Sequence, residues 1–220
     1  LIHRAIVQQS ADGSTTMLHR LQAQVLRESW SKRQRKHAYK SAAALLGSVD
    51  IDRFRADDSD ARFQETRNLI EHLRAFGAQD CFHYLRDYRH FTSALCRTFT
   101  HARDLGLVPE VFALKELVNT LHEQVGDSRE ILSLLAQLAY AHMYMSDYPT
   151  AIRLYKQVLN TREQILEPNH RDILSTRNDL AYAYYWEGDT GKAIDLFEQV
   201  LDDRTRILSS DHEDMLMRGS

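Results

Sequence analysis

Three prolines and eight glycines in 220 residues leave few places to punctuate the chain, which fits a helical protein poorly supplied with loops. Only two cysteines occur, Cys81 and Cys96. Free buried thiols in a reducing, cytoplasmic compartment are the expectation, with a disulfide the alternative. No apolar run is long enough to cross a bilayer, so no membrane partner is expected. The formal charge of −3, from 28 basic and 31 acidic residues, is too mild to demand nucleic acid or acidic substrates. Chemistry-bearing motifs are also missing. There is no G-x-x-x-x-G-K-[ST] phosphate loop, and residues 188–192 do not form one. None of the eleven histidines falls in H-E-x-x-H or in a Cys/His cluster at ligand spacing. Cys81 and His83 would point apart on a helix, which argues against a nucleophile–base pair. No catalytic residue, metal or cofactor is expected.

What the chain does have is a duplication near its end. Leu138-Ala139-Tyr140-Ala141 returns as Leu180-Ala181-Tyr182-Ala183. The register holds without insertion through Asp147 and Asp189, Ala151 and Ala193, Ile152 and Ile194, Tyr155 and Phe197, and Arg162 and Arg204. It still holds at His170 and His212, Asp172 and Asp214, and Leu174 and Leu216. A fixed period of this size is the signature of a stacked repeat. Each unit reads as two helices. Ile173, Leu180, Ala181 and Tyr184 share one face of a 3.6-period helix, and Gly188-Asp189 ends it with the positive φ that a tight turn favours. Ala193, Ile194, Phe197, Val200, Leu201 and Ile207 form the buried stripe expected of the second helix. Pro168 in the 167–170 linker stops one unit and opens the next, because proline cannot donate a helical hydrogen bond. His170, Asp172, His212 and Asp214 recur with that linker and are expected to cap helices or bond to neighbouring turns, rather than to coordinate metal.

Leu180, Ala181, Tyr184, Gly188, Asp189, Ala193 and Phe197 stand at the spacing of the tetratricopeptide repeat, which the last third of the chain resembles. Leu138, Ala139, Ala151 and Tyr155 repeat it one unit earlier, with Ser146 where glycine is usual and His142 where tyrosine is usual. The long period and its linker are similar to the kinesin-light-chain variant. The resemblance implies an all-α, right-handed helical-repeat superhelix. Its first helices would line a concave groove that takes a protein or peptide segment. In that frame Ser175, Asn178, Tyr182 and Tyr185 face the groove, continued by Tyr140, Met143 and Tyr144. Asn178 offers both a donor and an acceptor, and the tyrosines offer rigid contact area with a polar end. The competing expectation is that the tyrosines pack between units, and it is favoured at Tyr144 and Trp186.

The start of the chain differs. Residues 5–9 and 14–18 flank Ala11-Asp12-Gly13, a hairpin signal, and residues 19–30 read as an amphipathic helix. The stretch from Met17 to Glu28 resembles the end of the winged-helix module in NB-ARC/tetratricopeptide proteins of the STAND class of signalling ATPases. Residues 66–74 are similar to the linker that follows it there. The expected organisation is 1–46, the end of a winged-helix-like module plus a linker helix; 62–127, a helical linker and a degenerate repeat; and 128–220, tetratricopeptide repeats. In the middle section residues 62–76, 82–103 and 109–124 read as helices, with Phe99, Ala102, Val111 and Val118 at packing positions. The absence of a leader-like run, and a further unit expected to open at 211–217, point to an excerpt of a longer chain. That unfinished unit suggests dimers through the end of the stack.

Two functions follow as expectations. The first is a non-catalytic partner-binding sensor module of a STAND-type NTPase. The second is a transcriptional regulator whose winged-helix segment, with the basic run 27–40, contacts DNA. A solvated helix face is the plainer reading of that run.

Overall fold

The computed structural model describes residues 8–9, 16–17, 31–49, 59–77 and 89–218, the side chains after 207 excepted. Two short strands, β1 (Gln8–Gln9) and β2 (Thr16–Met17), pair antiparallel with Gln8 opposite Met17 and Gln9 opposite Thr16. A two-residue ladder supports neither the expected hairpin nor a winged-helix remnant, and the residues expected as its turn and following helix lie outside those described. Every other described element is helical.

Nine helices follow among the described residues: α1 (Lys32–Gly47), α2 (Ser59–Gly77), α3 (Arg89–Asp104), α4 (Val108–Phe112), α5 (Lys115–Val125), α6 (Arg129–Tyr144), α7 (Tyr148–Ile165), α8 (Arg171–Glu187) and α9 (Thr190–Arg218). Five of their starts carry a side-chain cap. Ser31 and Gln34 form a reciprocal capping box on α1, and Ser128 accepts from the Ile131 amide on α6. Asp147 and Asp189, equivalent by the 42-residue register, each accept a first-turn amide, from Thr150 on α7 and Lys192 on α9. Such side chains satisfy amide donors that a helix start leaves unpaired. His170 plays this part for α8, its Nδ1 accepting from the Asp172 amide at 3.1 Å. That is the capping role the linker suggested.

The helices stack in chain order. α3 packs on α6, α6 on α7, α7 on α8 and α8 on α9, while α1 and α2 close against α3. One apolar core runs from Ala43 through Leu95, Leu135 and Tyr155 to Ala193. Phe99, Ala102, Val111 and Val118 are all buried in it, as their spacing predicted. The helix expected over 109–124 is divided into α4 and α5. At the joint the Ala113 and Leu114 amides bond three residues back, to Glu110 and Val111. This tightening keeps Val111, Leu114 and Leu117 on one buried stripe at three-residue steps.

The turns between paired helices repeat down to their hydrogen bonds. The Asp147 amide donates to His142 O at 2.9 Å, and the Asp189 amide donates to Tyr184 O at 2.9 Å. Gly188 meets this geometry with φ +99°, and Ser146 at the equivalent place with φ +63°. A side chain in the left-handed region is strained by about 1 kcal/mol. Ser146→Gly is therefore expected to raise stability by about 0.5 kcal/mol once the looser unfolded chain is allowed for. Gly188→Ala should lower it by about 1 kcal/mol, a purely backbone effect, because an added Cβ would meet nothing within 4 Å. Paired urea titrations read both changes, and a Ser146→Gly variant less stable than the parent would refute the strain.

The end of the stack departs from expectation. α9 runs unbroken to Arg218, so no separate unit opens at 211–217. Ser210 stands where the preceding unit has Pro168, and serine keeps the amide that proline lacks. The α9 stripe is also less buried than its pattern implied. Ala193 and Val200 are enclosed, but Ile194 and Leu201 are 51% and 65% exposed, with Phe197 and Ile207 half-buried. No described helix lies on their outer side.

Candidate partner-binding surface

The joint between the repeats is held by a buried cation. Arg162, on α7 and only 6% exposed, donates to Thr176 Oγ1 at 2.6 Å and Asp172 O at 3.1 Å on α8. Its other nitrogen donates to Ser133 Oγ at 3.2 Å on α6. One side chain thus ties three helices. Burial pulls its pKa down, while Asp172 and Asp179 favour the charged form. Beside it Arg177 bridges α8 to Glu163 on α7 and to Asp203 on α9, each at 2.7 Å.

The first helices α3 and α6 are joined by a hydrogen bond and a cation–π contact. Gln137 donates to Thr100 Oγ1 at 3.2 Å, and the Arg103 guanidinium lies 5.5 Å from the Tyr140 ring centroid, a cation–π contact. One period on from Gln137 stands Asp179. Burial pushes its carboxyl up to about 6, against the pull of Arg103 and Arg162 and a hydrogen bond with Asn178. The Tyr155 hydroxyl is buried without a hydrogen-bond partner among the described residues, and burial, with Asp179 and Tyr140 adding, raises its pKa. Phe197 fills the equivalent position in the next unit, so the hydroxyl is not what the fold needs there.

The residues expected to face a partner fall into three groups. Ser175, Tyr182 and Tyr185 are exposed, the tyrosines 47% and 53%. Tyr182 rests edge-on against Phe197 at 5.0 Å, and Tyr185 against Trp186 at 5.5 Å. Asn178 and Tyr140 are half-buried, one engaged with Asp179 and the other with Arg103. Met143 is half-buried against the core, which leaves it less to offer a partner. Tyr144 and Trp186 were expected to pack between units, but they are 53% and 59% exposed. They sit at the last turns of α6 and α8. Arg103, Asp179 and Arg162 were missed, because each reads in sequence as an ordinary charge on a solvated helix face.

Other chemistry is sparse. A cavity of about 410 Å³ opens between the first turns of α3 and α6, lined by Arg89, Ser93, Cys96, Arg129, Glu130 and Ser133. Cys96 is a free thiol, pushed up to about 12 by burial and the nearby Glu130. Cys81, and the side chains of His212 and Asp214, lie outside the described residues. Among the described residues no three His, Cys, Asp or Glu side chains come together as a metal site would require, and no helix is long and apolar enough to cross a membrane. Of the basic run, Lys32, Arg33 and Lys40 are exposed on α1.

Helix pairs in a fixed register, with duplicated caps and turns, define the architecture. Residues 130–213 match the tetratricopeptide repeat. Solved structures extend the likeness of fold towards the start of the chain. A putative kinesin light chain of Podosopora anserina with nearly identical TPR-like repeats is similar at 18% identity and a TM-score of 0.51, over 80% of this chain and 92% of that one. BtubC (BKLC) from P. vanneervenii is similar at 15% identity and a TM-score of 0.52, over 80% of this chain and 74% of its own. No curated protein matches. Tetratricopeptide-like repeats are typically non-catalytic protein-interaction modules, their stacked units building extended binding surfaces.

Proposed function

We propose that this chain is a non-catalytic sensor module that binds a protein or peptide segment along α3, α6 and α8, within a STAND-type NTPase whose nucleotide machinery is not in these residues. The observation that carries the reading is the row of uncovered aromatic and polar side chains on α8, Ser175, Tyr182 and Tyr185, with half-buried Asn178 on the same helix and half-buried Tyr140 on α6. Tyrosines are among the side chains that dominate partner binding elsewhere, and the Asn178 amide can both donate to and accept from a partner's main chain. The resemblance of residues 17–28 and 66–74 to NB-ARC proteins supports the parentage. Capture of a ligand would act on such a core only if the ligand favours one of its conformations over another. Pairing through the end of the stack is compatible with this role.

A peptide array probed with the chain and with Asn178→Ala and Tyr182→Ala variants tests the surface. Each substitution is expected to weaken capture about tenfold or more. Partner binding unchanged in both variants would remove the assignment. Exposed Lys32, Arg33 and Lys40 keep the DNA-contacting reading as the alternative. Steeply salt-dependent binding to duplex DNA would favour it instead.

A further inference from the structure

The cavity of about 410 Å³ between α3 and α6 has two matching walls. Each carries an arginine one turn before a serine, Arg89 and Ser93 on α3, Arg129 and Ser133 on α6, and Glu130 adds a carboxylate to the second wall. The next joint shows what such a space holds when it is filled. There the first turns of α6 and α8 are tied by the buried Arg162, a latch that reaches Ser133, Thr176 and Asp172 O. Neither α4 nor α5, which take the place of α7 one unit earlier, contains an arginine.

The charges on the two walls are not spent on each other. Both α3 and α6 begin with an arginine, at the end where the helix dipole disfavours a cation and favours an anion. Among the described residues neither the Arg129 guanidinium nor the half-buried Glu130 carboxylate is in an ion pair. As neighbours on one helix they point about 100° apart, so they do not neutralise one another. The Cys96 thiol, pushed up to about 12, carries no charge at neutral pH, and it donates to the Glu130 main-chain oxygen at 3.7 Å. Ser93 Oγ accepts from Arg97 at 3.3 Å and keeps its own proton for a further acceptor.

We infer that this cavity binds a small zwitterion with one ammonium and two carboxylates, an acidic α-amino acid. One carboxylate faces Arg129, the other faces Arg89 with the Ser93 hydroxyl, and the ammonium faces Glu130. The charges then balance, two positive and one negative on the walls against two negative and one positive on the ligand. A plain dianion would bring its charge against the unpaired Glu130 carboxylate, and a plain cation would meet two arginines. The volume lies in the range of about 300–1,000 Å³ usual for small-molecule sites. Bound there, the ligand joins α3 to α6 as Arg162 joins α6 to α8. Its contacts are at the first turns of α3 and α6, away from Tyr182 and Tyr185 on α8, so the site does not depend on the partner surface proposed above.

Titration calorimetry of the full chain with L-glutamate, at pH 7 and fixed ionic strength, tests the site. Saturable binding is expected at about a millimolar or below, as a ligand of this size gives at a partly exposed site. Glutarate, which lacks the ammonium, should bind about tenfold weaker. Glu130→Gln should remove that preference, so that the two losses do not add. Arg129→Ala should weaken L-glutamate about tenfold as well. Neither side chain belongs to the core, and urea midpoints equal to the parent's are expected of both variants. Tyr182→Ala should leave the affinity unchanged, which separates this cavity from the partner surface. Isoglutamine, whose α-carboxyl is an amide as at the start of a peptide, should also bind about tenfold weaker. Equal binding of isoglutamine would give the cavity to a peptide's first residue and overturn the free amino acid. No saturable heat at ten times the expected concentration, or equal binding of glutarate and L-glutamate by the parent, overturns the site.

Discussion

Arg162→Ala is expected to lower the stability of the chain by about 3–4 kcal/mol, the largest single loss among its polar residues. Two contributions add to this, and one offsets part of it. Charge-assisted hydrogen bonds from a guanidinium are worth about 1.5–3 kcal/mol apiece at the upper end, and Arg162 makes them to α6 and to two groups on α8. Its stem is enclosed, so truncation leaves a void at the meeting point of three helices. The hydroxyls it leaves behind soften the loss, since Thr176 still donates to Asp172 O and Ser133 to Arg129 O. Arg204→Ala supplies an internal control: the same residue type, one period on, is exposed and should change stability by no more than about 0.5 kcal/mol. Arg162→Met keeps most of the packing and isolates the hydrogen bonds, and should fall between the two. Urea unfolding of the three variants decides the matter, and equal small losses for Arg162→Ala and Arg204→Ala would show that the latch carries no weight.

That contrast also marks where sequence reasoning succeeded and where it stopped. The duplication gave the helix pairs, the cap at His170, and the matching turns at Ser146 and Gly188, because each is decided by a few neighbouring residues; the caps at Asp147 and Asp189 were in register but not read as caps. It could not tell Arg162 from Arg204, or Ile152 from Ile194. Repeated sequence records the environment a residue has when the next helix is present, and whether a helix is present is a long-range fact. For the same reason Tyr144 and Trp186 were expected under cover that does not reach them. The unbroken α9 was legible in principle from Ser210 at the place of Pro168. The division between α4 and α5 had no such mark, as Ala113 and Leu114 are good helix formers and the joint answers to packing on α6 and α2. Among the partner-facing candidates, the first helices were identified by register. The electrostatics behind them depend on Arg103 and Asp179 being brought together from helices far apart in the chain.

Asp179→Asn is expected to raise stability by about 2 kcal/mol at pH 7, and by almost nothing near pH 4. The carboxyl is pushed up from 3.8 to about 6, first by burial, with Arg103, Arg162 and Asn178 resisting. The folded chain therefore holds its proton more tightly than the unfolded chain, and stability falls as pH rises wherever the folded state binds more protons. Below about 4 the group is neutral in both states and exerts no penalty. Between about 4 and 6 the unfolded chain ionises first and the penalty grows. Above 6 both are ionised and the penalty stays constant, with an upper bound of about 3 kcal/mol that the group's partial exposure reduces. Asparagine matches the neutral acid in shape and removes the charge, so the variant should lose this dependence. Removing Arg162 as well takes away one of the two cations that favour the ionised form, so the effects of Arg162→Ala and Asp179→Asn should not add. A residue that weakens the fold at neutral pH is best explained by its place: it lies beside Asn178 on the face proposed for partner binding, where an ionised carboxylate fixes the direction of that amide. Asp179→Asn should then bind the partner less well while unfolding at higher urea. If unfolding at pH 4.5 and pH 7 shows the same difference between variant and parent, or none at either, the charge is not buried at a cost and this account of Asp179 fails.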